Sequence, residues 1–199
     1  MPATTIFGLL GCGLLCLALV AAALPLRGLA LRLRYSAMLA AALFVFVPLG
    51  DLSVTGYVRG ATGDLSVSTL ALAANACFAR VTGRSPVERR EVSALLLAVA
   101  GAALFLYPFA LGFTPFDPYA LGYGSIGFTS VLLLVTLAAW RVGLRLVVLV
   151  VVAAALAYLG GIYESRNLWD YLIDPLVALY ALFRLSAGGV EKYVLRTQS

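Results

Sequence analysis

The chain has 199 residues, of which 63% are hydrophobic and 12% charged, and its mean hydropathy is +1.02. A water-soluble domain carries about a quarter charged residues, so this composition predicts a single transmembrane domain over residues 1–199. The net charge of +5 comes from 13 Arg and one Lys against nine acids; the bases sit in short clusters between apolar blocks, without interleaved aromatics, which excludes a nucleic-acid partner.

In chain order, the apolar blocks predict helical spans at 6–26, 35–52, 65–79, 92–111, 126–140, 144–163 and 168–185. The first has no charge and no basic segment before it, so it reads as a retained span. Gly8, Cys12 and Cys16 share one of its faces, a small-residue pattern suited to close helix packing. Arg27, Arg32 and Arg34 follow. The second block ends in a polar stretch from Asp51 to Asp64, read as a loop, in which Gly-Asp-Leu-Ser-Val occurs twice, at 50–54 and 63–67, around Tyr57 and Arg59. Asp64 is placed to cap the third block, and Asn75 within that block is expected to bond to a neighbouring helix.

Arg80, Arg84, Arg89 and Arg90 mark the next turn. The fourth block is expected to break at Pro108 and open into a Gly-, Pro- and aromatic-rich loop from Phe113 to Tyr123, containing Asp117 and Tyr119. Arg141 and Arg145 flank the turn between the fifth and sixth blocks. Glu164 and Arg166 precede the last, where Asn167 with Asp170 resembles a capping box. Pro175 is expected to kink that span, and Trp169 and Tyr171 to anchor it at a membrane interface.

Basic residues are retained on the cytoplasmic side of a membrane. With the amino terminus outside and about seven spans, only Arg59 and Arg166 fall outside, and the carboxyl terminus is cytoplasmic. The expected fold is therefore an all-α polytopic transmembrane helix bundle. Arg over Lys and abundant Ala point to a bacterial inner (plasma) membrane, multi-pass.

The chemistry of the chain is bounded by absences. Without His there is no His-containing zinc site, bis-His haem or Ser-His-Asp triad, and the single Lys192 near the carboxyl end excludes a retinal Schiff base within a span. Neither cofactor nor metal is expected, and no reaction is named by the sequence. The acids Asp51, Asp64, Asp117, Glu164, Asp170 and Asp174 collect on the expected outer side with Tyr57, Arg59, Tyr119, Tyr123 and Arg166. These are the candidate ligand- or partner-binding residues. Asp51 and Asp64 offer oxygens to a hard cation or a cationic ligand, Arg166 is spaced to pair with Asp170, and Tyr119 and Tyr123 offer stacking faces. The leading reading is a non-catalytic subunit of a membrane complex, its outer face docking another membrane protein or a lipid-linked or glycan ligand, with the bilayer as its other partner. The alternatives are a small cation or solute transporter and a carboxylate-dependent enzyme acting on a lipid-linked substrate at the outer leaflet.

Overall fold

Nearly every apolar block of the sequence is helical. The computed structural model describes residues 3–112 and 116–197, and the side chains of all of these but Arg27 and 188–197. Phe113, Thr114 and Pro115 of the expected loop, and the side chains of Arg27, Glu191, Lys192 and Arg196, lie outside the described residues. The helices are α1 (Ala3–Ala23), α2 (Leu31–Phe46), α3 (Val54–Thr62), α4 (Val67–Thr82), α5 (Arg89–Ala110), α6 (Ile126–Arg141), α7 (Arg145–Leu159), α8 (Leu168–Leu172) and α9 (Pro175–Thr197). Short antiparallel strands β1 (Pro48–Leu49) and β2 (Leu52–Ser53) pair as a hairpin between α2 and α3, and a 3-10 turn occupies Tyr119–Gly122.

The seven-span bundle is corrected by helix length. Two helices, Ala3–Ala23 and Arg89–Ala110, are long and apolar enough to cross a membrane. Val67–Thr82, Ile126–Arg141, Arg145–Leu159 and Pro175–Ala187 are shorter apolar helices of 10–17 residues. Sixteen residues at about 1.5 Å each reach about 24 Å, short of a hydrocarbon layer about 30 Å thick. One of the two long helices adjoins the N-terminus, and core helices or leader segments meet the same test. This count does not carry a multi-pass topology, an inner-membrane location or the bilayer as partner. The assignment of outer and cytoplasmic faces goes with it, and what stands is an all-helical fold with one small hairpin.

The last block is divided where the sequence predicts one kinked helix. Ile173 is extended, with φ −140° and ψ 150°, and Pro175 is the first residue of α9, where its missing N–H costs nothing because no partner lies within that turn. Pro108 likewise does not end α5, which continues to Ala110. The polar stretch after Asp51 contains a helix, α3, where a loop is expected. The two Gly-Asp-Leu-Ser-Val segments do share a structural role. Gly50 and Gly63 have positive φ, 82° and 72°, and Ser53 and Ser66 cap the helices that follow by accepting from the Gly56 and Thr69 amides. Ser66, not Asp64, is therefore the cap of α4.

α1 packs on α2, α3 and α4, whereas α5 packs on α7 and α9, and α7 on α6 and α8; α4 joins the two groups through contacts with α5, α7, α8 and α9. The core of the second group holds Leu95, Val99, Ala103 and Leu106 of α5, with Val147, Val150 and Ala154 of α7 and Val177, Ala178 and Ala181 of α9. Those of α5 and α7 recur every three or four positions, and Val177 and Ala178 lie four and three positions before Ala181, so each set lines one helix face. The opposite faces are also apolar: Leu97 of α5 is 65% exposed, Leu159 of α7 78% and Leu179 of α9 66%.

Candidate functional site

Four connections in this fold converge on one cavity. The α3–α4 loop brings Thr62, Gly63 and Asp64, the end of α5 brings Leu106 and Tyr107, the 3-10 turn brings Tyr119, and the segment from Tyr163 to Pro175 brings Ser165, Asp170 and Asp174. They enclose about 460 Å³, within the range of small-molecule sites.

Each carboxylate is held differently. Asp64 Oδ1 accepts from Arg59 Nε at 2.8 Å, and Arg59 Nη2 reaches Glu164 Oε1 at 3.1 Å. The bond to Asp64 raises the guanidinium pKa still further, so Arg59 remains a cation. Asp170 has only hydroxyl partners among the described residues: Tyr119 donates to it at 2.9 Å and Ser165 Oγ at 2.5 Å. Asp174, 6% exposed, is saturated. Its Oδ1 accepts from the Leu176 and Val177 amides at the start of α9, and its Oδ2 from the Ser66 amide and Thr69 Oγ1 at the start of α4. An acid before Pro175 is therefore explained by capping: one carboxylate serves two helix N-termini.

The tyrosines supply neutral rings. Burial first, and then the bond to Asp170, push the Tyr119 phenol well above its usual range. Burial, with Asp64 as the largest charge contribution, pushes Tyr163 up to about 12. Among the described residues the Tyr107 hydroxyl has no hydrogen-bond partner, although Tyr107 lines the cavity. Trp169 and Tyr171 are core residues, 5% and 0% exposed, and not interfacial anchors. Trp169 Nε1 donates to the Pro118 carbonyl, and the Tyr171 hydroxyl donates to the Ser165 carbonyl.

The turn that carries Tyr119 is fixed by Asn167 and Gly122. Asn167 Nδ2 donates to the Tyr119 carbonyl and its Oδ1 accepts from the Trp169 amide, which is half of the expected capping box. The other half is absent, because the Asn167 amide donates to Ser165 Oγ and not to Asp170. A Cβ on Gly122 would overlap Asn167 Oδ1, so a glycine is what lets the turn lie on α8.

Comparison with protein-family models, with curated proteins and with solved structures found no match.

Of the residues singled out in the sequence, Asp64, Tyr119, Asp170 and Asp174 meet at the cavity, and Arg59 and Glu164 stand beside it on the far side of Asp64. The rest do not join them. Asp51 is exposed in the hairpin turn, and Tyr57 donates to the Leu49 carbonyl of the same hairpin. Asp117 accepts from the Tyr119 amide. Tyr123, 61% exposed, lies edge-on to Tyr119. Arg166 is exposed and makes no ion pair with Asp170 among the described residues. Asn75 accepts from Ser85 in the following loop, not from a neighbouring helix.

The expected functions are corrected on the same ground. A docking subunit, a transporter and an outer-leaflet enzyme each required an outward array of free acids on a multi-span bundle. Asp64, Asp170 and Asp174 are instead turned into the fold, by the Arg59 ion pair, by hydroxyls and by helix caps, and the exposed Asp51 and Asp117 do not join them. Tyr107, Tyr163 and Ser165 were missed in the sequence. Tyr107 sits within an apolar block and carries no local signal, whereas Ser165, two residues before the Asn167 cap, is the kind of residue that bonds nearby backbone.

Proposed function

We propose that the cavity binds a small organic cation, an amine or a guanidinium, with Asp170 as its counter-charge. The reading rests on one observation: Asp170 faces the cavity with only neutral hydroxyl partners, while Arg59, the cation bound to Asp64 of the cavity wall, is engaged by Asp64 and Glu164. A partly buried carboxylate without a counter-ion is costly, and a ligand cation offsets that cost. Tyr107, Tyr119 and Tyr163 line the same space and offer the aromatic faces that attract cations. The unpartnered Tyr107 hydroxyl supplies an acceptor for an ammonium N–H. A metal ion fits less well, because no group of three or more His, Cys, Asp or Glu able to hold one occurs among the described residues.

The test is calorimetric titration of the purified chain with butylamine, guanidine and choline, with acetate and glucose as anionic and neutral controls. Saturable binding of the cations is expected, weakened at least about ten-fold, or about 1.4 kcal/mol, by Asp170→Asn. Equal binding of glucose or acetate, or an unchanged Asp170→Asn, would remove the reading.

A further inference from the structure

Gly8, in α1, stands against the far side of the cavity wall. A Cβ built on Gly8 would overlap Asp64 Oδ1 and Arg59 Nε and would touch Arg59 Cδ at 3.0 Å. The missing side chain is thus what allows Arg59 and Asp64 to pair flat against the helix. Asp64 is a party wall: it lines the cavity described above and also a second one of about 510 Å³, shared with Thr5, Leu9, Arg59 and Glu164. Where Arg59 lies therefore decides whether the Asp64 charge is available to whatever occupies the first cavity.

We infer that Gly8 is a positioning residue that, by admitting Arg59 to Asp64, restricts the cavity to singly charged organic cations. The inference rests on the amine-binding reading and adds the valence of the ligand to it. With the pair intact, Asp64 is held by the guanidinium it shares with Glu164 and Asp174 is saturated by four donors, so Asp170 is the one cavity carboxylate with neither a cation nor a full set of donors. A dication then finds a counter-charge for one end only, and its second ammonium gains nothing over a methyl group. A Cβ at position 8 overlaps both Asp64 Oδ1 and Arg59 Nε and so breaks the pair, and the cavity acquires a second anionic point.

The experiment measures the ratio of putrescine to butylamine affinity in the wild-type chain, Gly8→Ala, Arg59→Ala, the double variant and Gly11→Ala. Gly11→Ala is the control, because a Cβ there meets only the flexible end of Leu70 at 3.3 Å and makes the same change in helix propensity. The wild type is expected to show little preference between the two amines. Gly8→Ala and Arg59→Ala are expected to raise the ratio about ten-fold, the scale of one charge-assisted contact. The double variant should match Arg59→Ala alone, and Gly11→Ala should match the wild type. A Gly8→Ala that weakens both amines alike has a purely structural effect and overturns the inference, as does an unchanged ratio in Arg59→Ala. A wild type that binds neither amine brings down the amine-binding reading as well, so the two failures are told apart. Should Gly8→Ala fail to fold, the ratio in Arg59→Ala decides. A double variant that folds where the single one does not places the clash at the ion pair, and a double variant that also fails to fold counts against it.

Discussion

The Tyr119 hydroxyl reaches both oxygens of Asp170, at 3.2 and 2.9 Å, across 51 positions of chain. This bond joins the 3-10 turn to α8 and holds a phenol over the carboxylate proposed to meet the ligand. Tyr119→Phe removes the donor and leaves the ring. A loss of about 1.5–3 kcal/mol in denaturant unfolding is expected, the range of a hydrogen bond to a charged group, together with weaker amine binding. An unchanged midpoint with an unchanged slope would mean that Ser165 alone satisfies Asp170.

Asp174 is the residue whose loss should cost most stability. Asp174→Ala strands the amides of Ser66, Leu176 and Val177 and the Thr69 hydroxyl. A single lost cap costs about 1 kcal/mol, and two caps with buried donors should cost about 3 kcal/mol or more. Asp174→Asn keeps one acceptor oxygen and should fall between that variant and the wild type. Thermal unfolding of the three proteins, ranked in that order, is the check.

Gly122→Ala should act through Asn167. The added methyl group overlaps Asn167 Oδ1 and must lift the turn that carries Tyr119. Much of the loss should be recovered in Gly122→Ala/Asn167→Gly, since the second change clears the space. If melting temperatures instead show that the two effects add, the residues act independently and the contact is not what fixes the turn.

The Tyr163 phenol titrates at about 12 in the folded chain, because of burial and of Asp64, against about 10 when unfolded. A raised pKa means that the folded state retains the proton longer. Its contribution to stability is fully present below pH about 10 and is lost as pH rises towards about 12. Tyr163→Phe should lessen the fall in stability across that alkaline window and leave the neutral range alone. Melting curves from pH 8 to 12, with an identical slope in both proteins, would show that Tyr163 is not responsible.

The helical character of the chain is legible in the sequence, because long apolar runs at helical spacing leave few other choices, whereas the seven-span bundle is not what the helices form. The length of an apolar run is not the length of a helix. The run from 168 to 185 contains Ile173 in an extended conformation, so a short helix and a separate one stand where a single kinked span was expected. Which face of each helix turns inward was hidden as well. In α6 and α7 apolar residues occur all round, and only packing selects Phe128, Val147 and Val150 for the core.

At the site, Asp64, Tyr119, Asp170 and Asp174 were recognisable because polar groups are rare in this chain. Their partners were not, since Arg59 to Glu164 spans 105 positions and no local pattern encodes such a pairing. The repeated Gly-Asp-Leu-Ser-Val pairs Asp51 with Asp64, yet the two copies resemble each other in the cap their serines provide and not in where their acids lie.

Because one carboxylate secures the beginnings of both α4 and α9, neither helix can unwind from that end without releasing the other. The two segments, more than a hundred positions apart in the chain, should open as one cooperative unit, with matched hydrogen-exchange rates at the amides of Ser66 and Val177. Any motion that widens the cavity at Asp174 must therefore loosen two distant parts of the molecule at once, and movement of its lining is most easily accommodated on the opposite side, where Glu164 reaches into solvent.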